Sequence, residues 1–216
     1  MKRAFLILWM LLPLSACAAD TAVPIESIEN KVTPAISPFP AVQDAKETYT
    51  FLAENPQDLS AWDYETAYNL CAAALSDYYK AVWNGLDMDL SAYFENLQQY
   101  MHQKITSYYD TALKNNLPKN PVIAVDVGAT KTEFVSENKG FFYLKLNARV
   151  KKGTGSFAEP TEFLVNNADG RLVIADWYTQ GKDSYDSTMR GLNQKINNPD
   201  IWSNPEWVKS LGKRAE

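Results

Sequence analysis

Apolar residues recur at helical spacing in the first long segment of the chain. Between Ser60 and Asn84 they follow steps of three and four residues, which predicts an amphipathic helix. Ser60 with Asp63 three positions on suits an N-cap, and Gly85 suits the residue after the last turn. The predicted buried stripe consists of Tyr64, Tyr68, Cys71, Leu75, Tyr78 and Val82.

A second helical stripe follows the first. It predicts a helix that opens at Ser91 and continues to Asn115, with Pro118 just beyond its end. A shorter helix is predicted over residues 44–54, stopped by Pro56. The apolar positions of the longer helix are Phe94, Leu97, Met101, Ile105, Tyr108 and Ala112.

The hydrophobic period changes to two after Pro121. Residues 121–137 predict a first strand pair or one bent strand. Residues 141–150 alternate cleanly, which predicts a strand with one buried face. The buried face comprises Phe142, Leu144, Leu146, Ala148 and Val150.

Two further strands are predicted over residues 161–166 and 172–179. They are joined by Asn167-Ala168-Asp169-Gly170, a hairpin turn with glycine placed for positive φ. Beyond Gly181 the chain is polar and irregular until Pro205, which opens a last short helix. The C-terminal segment, residues 191–216, is predicted as a tail that either straps onto the domain or awaits a partner.

Helices followed by a run of strands predict an α+β domain, with the helices packed on one face of a curved antiparallel sheet. The segments LSDYYKAVWNGLDMDLSAYF and EFLVNNADGRLVIADWYTQG make the stretch from about residue 60 to about residue 180 resemble the nuclear transport factor two-like, or cystatin-like cone, superfamily, and we expect the domain to span residues 44–190. That resemblance implies a cone-shaped pocket between sheet and helices. It also implies either a small isomerase or dehydratase, or a non-catalytic binding or dimerisation module.

The N-terminus has the features of an export signal. Lys2 and Arg3 precede an apolar run over residues 4–14, which as a helix spans roughly 17 Å and falls short of a ~30 Å hydrocarbon core. Leu14-Ser15-Ala16-Cys17 resembles the bacterial lipobox, which implies cleavage before Cys17 and a lipid on its thiol. An ordinary signal peptide is the alternative. We expect residues 1–16 to be the signal peptide and residues 17–43, rich in proline, to be a flexible tether.

Composition narrows the classes of partner. The formal net charge is −5, and removal of Lys2 and Arg3 makes the mature chain more acidic. Without a large basic patch, nucleic acid is not an expected partner. Lipidation of Cys17 would leave Cys71 as the only thiol, on an apolar helix face where a buried structural role is expected. Neither a metal nor a cofactor is predicted; the membrane, a surface protein, a peptide or a small ligand are the expected partners, with oligomer formation left open.

One motif suggests phosphate chemistry. Asp126-Val-Gly-Ala-Thr-Lys131 resembles the first phosphate motif of sugar kinases in the actin-like ATPase superfamily, in which the aspartate handles the metal and the glycine admits the backbone. Too few residues follow Lys131 for that duplicated domain, and no second phosphate loop occurs. A strand bend at Gly128 is therefore the favoured interpretation, and phosphotransfer is the remote alternative.

The candidate pocket residues are aromatic and acidic: Tyr78, Tyr108, Asp126, Asp176 and Tyr178. Alternation places Asp176 on one strand face with Leu172, Ile174 and Tyr178. If that face lined the cone, Asp176 would be a general base beside tyrosine hydroxyls; the favoured interpretation is a solvated carboxylate at a strand end. His102, the only histidine, is expected on the helix surface.

These patterns lead to a functional expectation. The chain is predicted to be a membrane-anchored, extracytoplasmic lipoprotein that acts as a non-catalytic binding module. The alternative is a small pocket enzyme, an isomerase or hydrolase, that uses aspartate and tyrosine side chains. The enzyme hypothesis requires these groups to converge in one cavity.

Overall fold

The computed structural model describes three stretches of the chain, residues 50–114, 120–137 and 140–212. The predicted signal peptide, Cys17, the tether and the first part of the predicted helix over 44–54 lie outside these residues. Within them the architecture is α+β, with helices on one face of a curved, open, four-stranded antiparallel sheet. The predicted fold class is therefore confirmed at this level.

Five α-helices and two 3₁₀ turns occur in the described residues. The helices are α1 (Tyr64–Asn84), α2 (Leu90–Tyr93), α3 (Gln98–Lys114), α4 (Tyr185–Arg190) and α5 (Pro205–Gly212). The 3₁₀ turns span Ala61–Asp63 and Ile201–Ser203. Among the described residues, no helix is both long enough and apolar enough to cross a membrane.

The four strands form a meander in chain order. They are β1 (Val122–Val135), β2 (Phe141–Lys152), β3 (Gly155–Ala168) and β4 (Arg171–Thr179). The segment over residues 121–137 is one long strand with two register shifts, as the bent-strand alternative predicted. The third strand begins earlier than its predicted start at Thr161, because β2 and β3 stay paired as far as Lys152 and Gly155.

The core lies between α1 and the concave side of the sheet. Every second residue of β2 from Phe142 to Val150 is buried, so the predicted alternation is confirmed. Trp177 of β4 is fully buried, with its ring 4.7 Å from that of Phe163 and 5.4 Å from that of Tyr78 on α1. Large aromatic side chains therefore fill the space in which a cone-shaped pocket was expected.

The two ends of α1 follow the predicted capping chemistry. The Ser60 backbone N–H donates to the Asp63 carboxylate at 2.8 Å, and the 3₁₀ turn leads into α1. Gly85 adopts φ 69° and closes the last turn by donating to the Ala81 carbonyl at 3.1 Å. The predicted helix from Ser60 to Asn84 is confirmed.

The hairpin between β3 and β4 also has the predicted turn. Asp169 and Gly170 both have positive φ, 51° and 90°, as a two-residue hairpin loop requires. The Asn167 side-chain oxygen accepts a hydrogen bond from the Gly170 backbone at 2.7 Å. This turn fixes the register of the last strand pair.

The predicted helix over 44–54 is wrong for the residues that are described. The Ala53 backbone N–H donates to the Gly170 carbonyl in the β3–β4 turn, and the Phe51 carbonyl accepts from the Leu172 N–H of β4. Leu52 forms an isolated antiparallel bridge with Arg171. Phe51 is buried beside Tyr93, with ring centroids 6.3 Å apart. An extended backbone is favoured over a helix here because it pairs with the edge of the sheet and buries the ring of Phe51.

The predicted helix from Ser91 to Asn115 is wrong at its start. Phe94 has extended backbone angles, φ −125° and ψ 148°, and bridges to Ile174 in parallel. The chain therefore breaks between α2 and α3. The break drives Phe94 into the core, where it is fully buried and its ring lies 6.0 Å from that of Trp177.

The segment after β4 belongs to the folded domain. It contains α4, which the polar sequence beyond Gly181 did not predict, and the predicted short helix α5. Ile196, Trp202 and Leu211 of the predicted tail are buried. Of the two alternatives for that segment, packing on the domain is therefore what the structure shows.

Candidate functional site

A groove of about 930 Å³ runs between α3 and the C-terminal helices. This size lies within the range of ligand-binding clefts. Residues from the α3 face form one wall, and residues from α4, the second 3₁₀ turn and α5 form the other. The lining side chains are those of Asn96, Gln99, Tyr100, Gln103, Ser107, Tyr108, Thr111, Asp183, Tyr185, Thr188, Met189, Trp202, Val208 and Leu211.

Apart from one carboxylate, the lining of the groove is uncharged and amphipathic. Amide and hydroxyl side chains of α3 alternate with aromatic rings, and Met189, Val208 and Leu211 supply aliphatic surface. Asp183 is the one ionisable acid among the lining residues, and no lysine or arginine lines the groove. The groove therefore suits a ligand without formal charge that has both polar and apolar faces.

A buried ion pair lies behind the α3 wall of the groove. The fully buried Lys104 ammonium donates to the Asp186 carboxylate at 2.6 Å and to the Thr179 hydroxyl at 2.9 Å. Asp186 also accepts from the Tyr100 hydroxyl and from the Thr179 backbone N–H, each at 2.6 Å. This network ties α3, β4 and α4 to one another.

The surroundings of Lys104 make it a structural cation. Its ammonium lies 5.1 Å from the ring centroids of both Tyr78 and Trp177. Burial lowers the pKa of Lys104, while the Asp186 carboxylate opposes that shift. Burial also raises the pKa of Tyr100, which keeps its hydroxyl protonated as the donor to Asp186. A fully enclosed amine with these partners does not reach a ligand in the groove.

A second buried ion pair joins β4 to the end of α4. Arg190 donates to the two Asp176 carboxylate oxygens through Nη1 and Nη2, each at 2.9 Å. Asp176 also accepts from the Trp202 indole N–H and from the Trp177 backbone N–H, both at 2.8 Å. Burial raises the pKa of Asp176, and the Arg190 guanidinium with these N–H donors opposes the rise. Four donors leave Asp176 little capacity to accept a substrate proton.

The prediction that Asp176 is a solvated carboxylate is wrong, since the residue is only 1% exposed. A bulge in β4 explains the error. Leu164 pairs with Asp176 and Val165 with Ile174, so Ala175 is an extra residue that shifts the alternation. Asp176 and Tyr178 consequently face away from Leu172 and Ile174, with which the sequence had placed them.

The predicted pocket residues do not meet in one cavity. Tyr78 is buried in the core, Tyr108 lines the groove, and Tyr178 lies on the opposite face of the sheet, where its hydroxyl donates to the Gly191 carbonyl at 2.8 Å. The Tyr108 hydroxyl accepts from the Tyr185 backbone N–H at 3.1 Å. Asp176 borders a separate, smaller pocket of about 290 Å³ beneath the C-terminal segment.

Asp126 and the phosphate-like motif lie on the exposed edge strand β1. Asp126, Gly128, Thr130 and Lys131 are all exposed, and the strand continues to Val135. A Cβ at Gly128 would meet nothing within 4 Å, so no close backbone approach depends on this glycine. The motif therefore lacks the turn into a helix on which phosphate binding by such a motif depends.

The other reactive side chains are equally separate. His102 is exposed on α3, as expected, and Cys71 is fully buried, where burial raises the pKa of its thiol. Within the described part of the chain, no three histidine, cysteine, aspartate or glutamate side chains gather in a way that would hold a metal ion.

Sequence reasoning missed the two ion pairs and the groove they support. One signal was present: Tyr100, Lys104 and Tyr108 follow one another at four-residue steps beside the buried Leu97 and Met101. A lysine inside such a stripe indicates a buried partner. Its partner is Asp186, which lies four residues before Arg190, the partner of Asp176, in a segment that otherwise resembles a polar loop.

Comparison with protein-family models, with curated proteins and with solved structures found no match to this chain.

Proposed function

We propose that this chain is an extracytoplasmic, lipid-anchored binding module that holds a neutral peptide segment of a partner protein in the groove beside α3. The observation that carries the proposal is the largely uncharged, amphipathic groove, whose walls are fixed by two buried ion pairs. The predicted lipid on Cys17 supplies the location. A binding role is favoured over the pocket enzyme because the predicted aspartates and tyrosines diverge.

The side chains that line the groove favour a peptide over other ligands. Side-chain amides such as those of Gln99 and Gln103 both donate and accept, so they match the N–H and C=O groups of an extended backbone. Met189, Val208 and Leu211 offer contact surface to aliphatic side chains. The lack of lysine or arginine among the lining residues disfavours anionic ligands.

For the fold, we retain the nuclear transport factor two-like, or cystatin-like, type as a proposal. The helices on one face of a curved antiparallel meander support it. In this chain the groove lies outside the helix–sheet core, because Trp177, Phe163 and Tyr78 occupy the interior. Ligand binding is accordingly assigned to the surface between α3 and α5.

Blocking the groove tests the binding proposal. Replacing exposed Gln103 with tryptophan fills the groove, and we expect at least a tenfold loss of affinity for peptides selected from a library of neutral octapeptides. The matched control is His102→Trp, which changes the adjacent exposed residue outside the groove and should leave affinity within about twofold. Isothermal titration with the full chain measures both.

Two outcomes would contradict the binding proposal. Equal affinities in the Gln103→Trp and His102→Trp variants would place the ligand elsewhere. If no peptide is selected and neutral N-acetylglucosamine oligomers bind saturably, the groove binds carbohydrate and not peptide. The folded state of each variant is checked by its circular dichroism spectrum.

Membrane anchoring has a separate test based on the two cysteines. Cys17→Ala should abolish incorporation of labelled fatty acid and leave residues 1–16 attached, because the cut at the lipobox depends on the cysteine. Cys71→Ala is the control, since its buried thiol cannot take a lipid and the variant should still be labelled. Fatty-acid labelling that persists in Cys17→Ala would overturn lipidation at this position.

A further inference from the structure

An aromatic cage lies at the C-terminal end of α1, away from the groove. Tyr79 and Trp83, one helical turn apart, pack against Phe157 of β3, with ring centroids 5.9 Å and 6.4 Å from that of Phe157. The Tyr79 hydroxyl donates to the Glu159 carboxylate at 2.7 Å. Trp83 is half-buried and Phe157 is 36% exposed, so these two rings reach the surface, whereas Tyr79 is buried.

The side chain of Lys152 places a cation beside two of these rings. The Lys152 ammonium lies over the face of the Trp83 ring and 5.2 Å from the centroid of Phe157. Three features favour positive charge there: the two ring faces, the carboxylate of Glu159 on the same face of β3 as Phe157, and the carbonyl end of α1. Such a combination is typical of sites that recognise quaternary ammonium groups.

Lys152 is held loosely in comparison with the other buried or half-buried cations. Among the described residues, no carboxylate lies within salt-bridge distance of its ammonium, whereas Lys104 and Arg190 each have one. Partial burial lowers the pKa of Lys152. A primary ammonium is strongly hydrated, so a less hydrated cation gains more from the same rings.

The backbone beside the cage leaves room for a ligand. Lys152 pairs with Gly155 across the β2–β3 turn, and a Cβ at Gly155 would meet nothing within 4 Å. The side-chain position opposite Lys152 is therefore open to solvent.

We propose that the rings of Trp83 and Phe157, with the buried Tyr79 packed behind Phe157, form a second binding site, which takes a quaternary ammonium group in exchange for the Lys152 side chain. The ligand class is a molecule that carries a trimethylammonium group, either free or as a lipid headgroup. The Lys152 ammonium competes with the trimethylammonium group for the rings and so lowers the affinity of the site for its ligand. This site is independent of the peptide groove.

The test titrates the full chain with choline and follows the indole N–H resonances by NMR. Wild-type protein should show saturable shifts in the Trp83 signal, and Lys152→Ala should bind choline about fivefold more tightly, because the competing cation–π contact is worth roughly 1 kcal/mol. Trp83→Leu should lose the response. The uncharged isostere 3,3-dimethylbutan-1-ol should not bind, which separates cation recognition from apolar contact.

The results also distinguish the two sources of ligand. Saturable binding of free choline supports the proposal directly. Trp83-dependent binding to phosphatidylcholine vesicles and not to phosphatidylglycerol vesicles supports it with a lipid headgroup as the source. Absence of both in the Lys152→Ala variant, or a choline response that survives in Trp83→Leu, overturns it. Neither outcome bears on the groove, whose test uses neutral peptides.

Discussion

Replacing Arg190 with methionine will lower the free energy of unfolding by about 3–5 kcal/mol. The substitution keeps an unbranched apolar side chain but leaves the Asp176 carboxylate, 1% exposed, without its cation. Breaking a buried pair is costly because the remaining charge keeps its desolvation penalty and loses its partner. Urea denaturation followed by tryptophan fluorescence measures the change.

A double-mutant cycle separates the ion pair from the packing of its side chains. Asp176→Leu combined with Arg190→Met should cost less than the sum of the single changes, since no charge then remains buried. The exposed pair Lys131–Glu133 is the matched control, and Lys131→Met should cost less than about 1 kcal/mol. Additive losses in the cycle would show that Asp176 and Arg190 do not stabilise each other.

The ion pairs matter for function because α4 is too short to be stable alone. It spans Tyr185–Arg190, and an isolated helix of this length does not form in water. Asp186 in its first turn pairs with Lys104, and Arg190 in its last turn pairs with Asp176. Both ends of α4 are thus fixed to other elements. The groove wall that includes Tyr185, Thr188 and Met189 is held in place before a ligand arrives, which lowers the entropy cost of binding.

The elements that the sequence predicted correctly are those in which one pattern decides the structure. The long stripe of α1, with its capping residues and Gly85, left no competing conformation. The alternation of β2 over residues 141–150 and the Asn167–Gly170 turn were equally unambiguous. In each case local propensity and burial favour the same backbone.

The candidate site was predicted poorly because irregular backbone changes which face of the sheet or helix a side chain occupies. The prediction had assigned those faces from regular alternation. One extra residue at Ala175 moved Asp176 and Tyr178 to the other side of the sheet. The break at Phe94 likewise turned a predicted helical residue into an extended one. A bulge or a break is stabilised by tertiary contacts such as the burial of Phe94, and alternation along a single chain does not record those contacts.

The role of the C-terminal segment was left open by the sequence for a related reason. Its apolar residues, Ile196, Trp202 and Leu211, are too widely spaced to give a periodic signal. Trp202 and Leu211 join the main core and Ile196 packs with Leu164 and Tyr178 on the other face of the sheet, so the segment packs as an irregular strap that contains one 3₁₀ turn and the short helix α5. Single large side chains, and not a repeated pattern, hold it.

Trp202 is the residue on which this strap depends most, and Trp202→Ala will lower the free energy of unfolding by about 3–5 kcal/mol. The indole is 6% exposed, lies between the rings of Tyr100 and Trp207 at centroid distances of 4.6 Å each, and donates to Asp176 at 2.8 Å. Its loss opens a cavity and removes one donor from a buried carboxylate. Urea denaturation measures the stability, and limited proteolysis reports release of residues 191–211.

Two companion variants give the Trp202 prediction its controls. Trp202→Phe retains part of the ring packing but not the N–H, so it should cost about 1–3 kcal/mol and fall between wild type and alanine. Trp62→Ala removes an indole that is 86% exposed and should change stability by less than about 0.5 kcal/mol. Because Trp202 also lines the groove, Trp202→Ala should weaken binding of the selected neutral peptide even below the temperature at which the domain unfolds. Unchanged stability and unchanged proteolysis in Trp202→Ala would mean that the strap is held elsewhere, and that the groove does not require it.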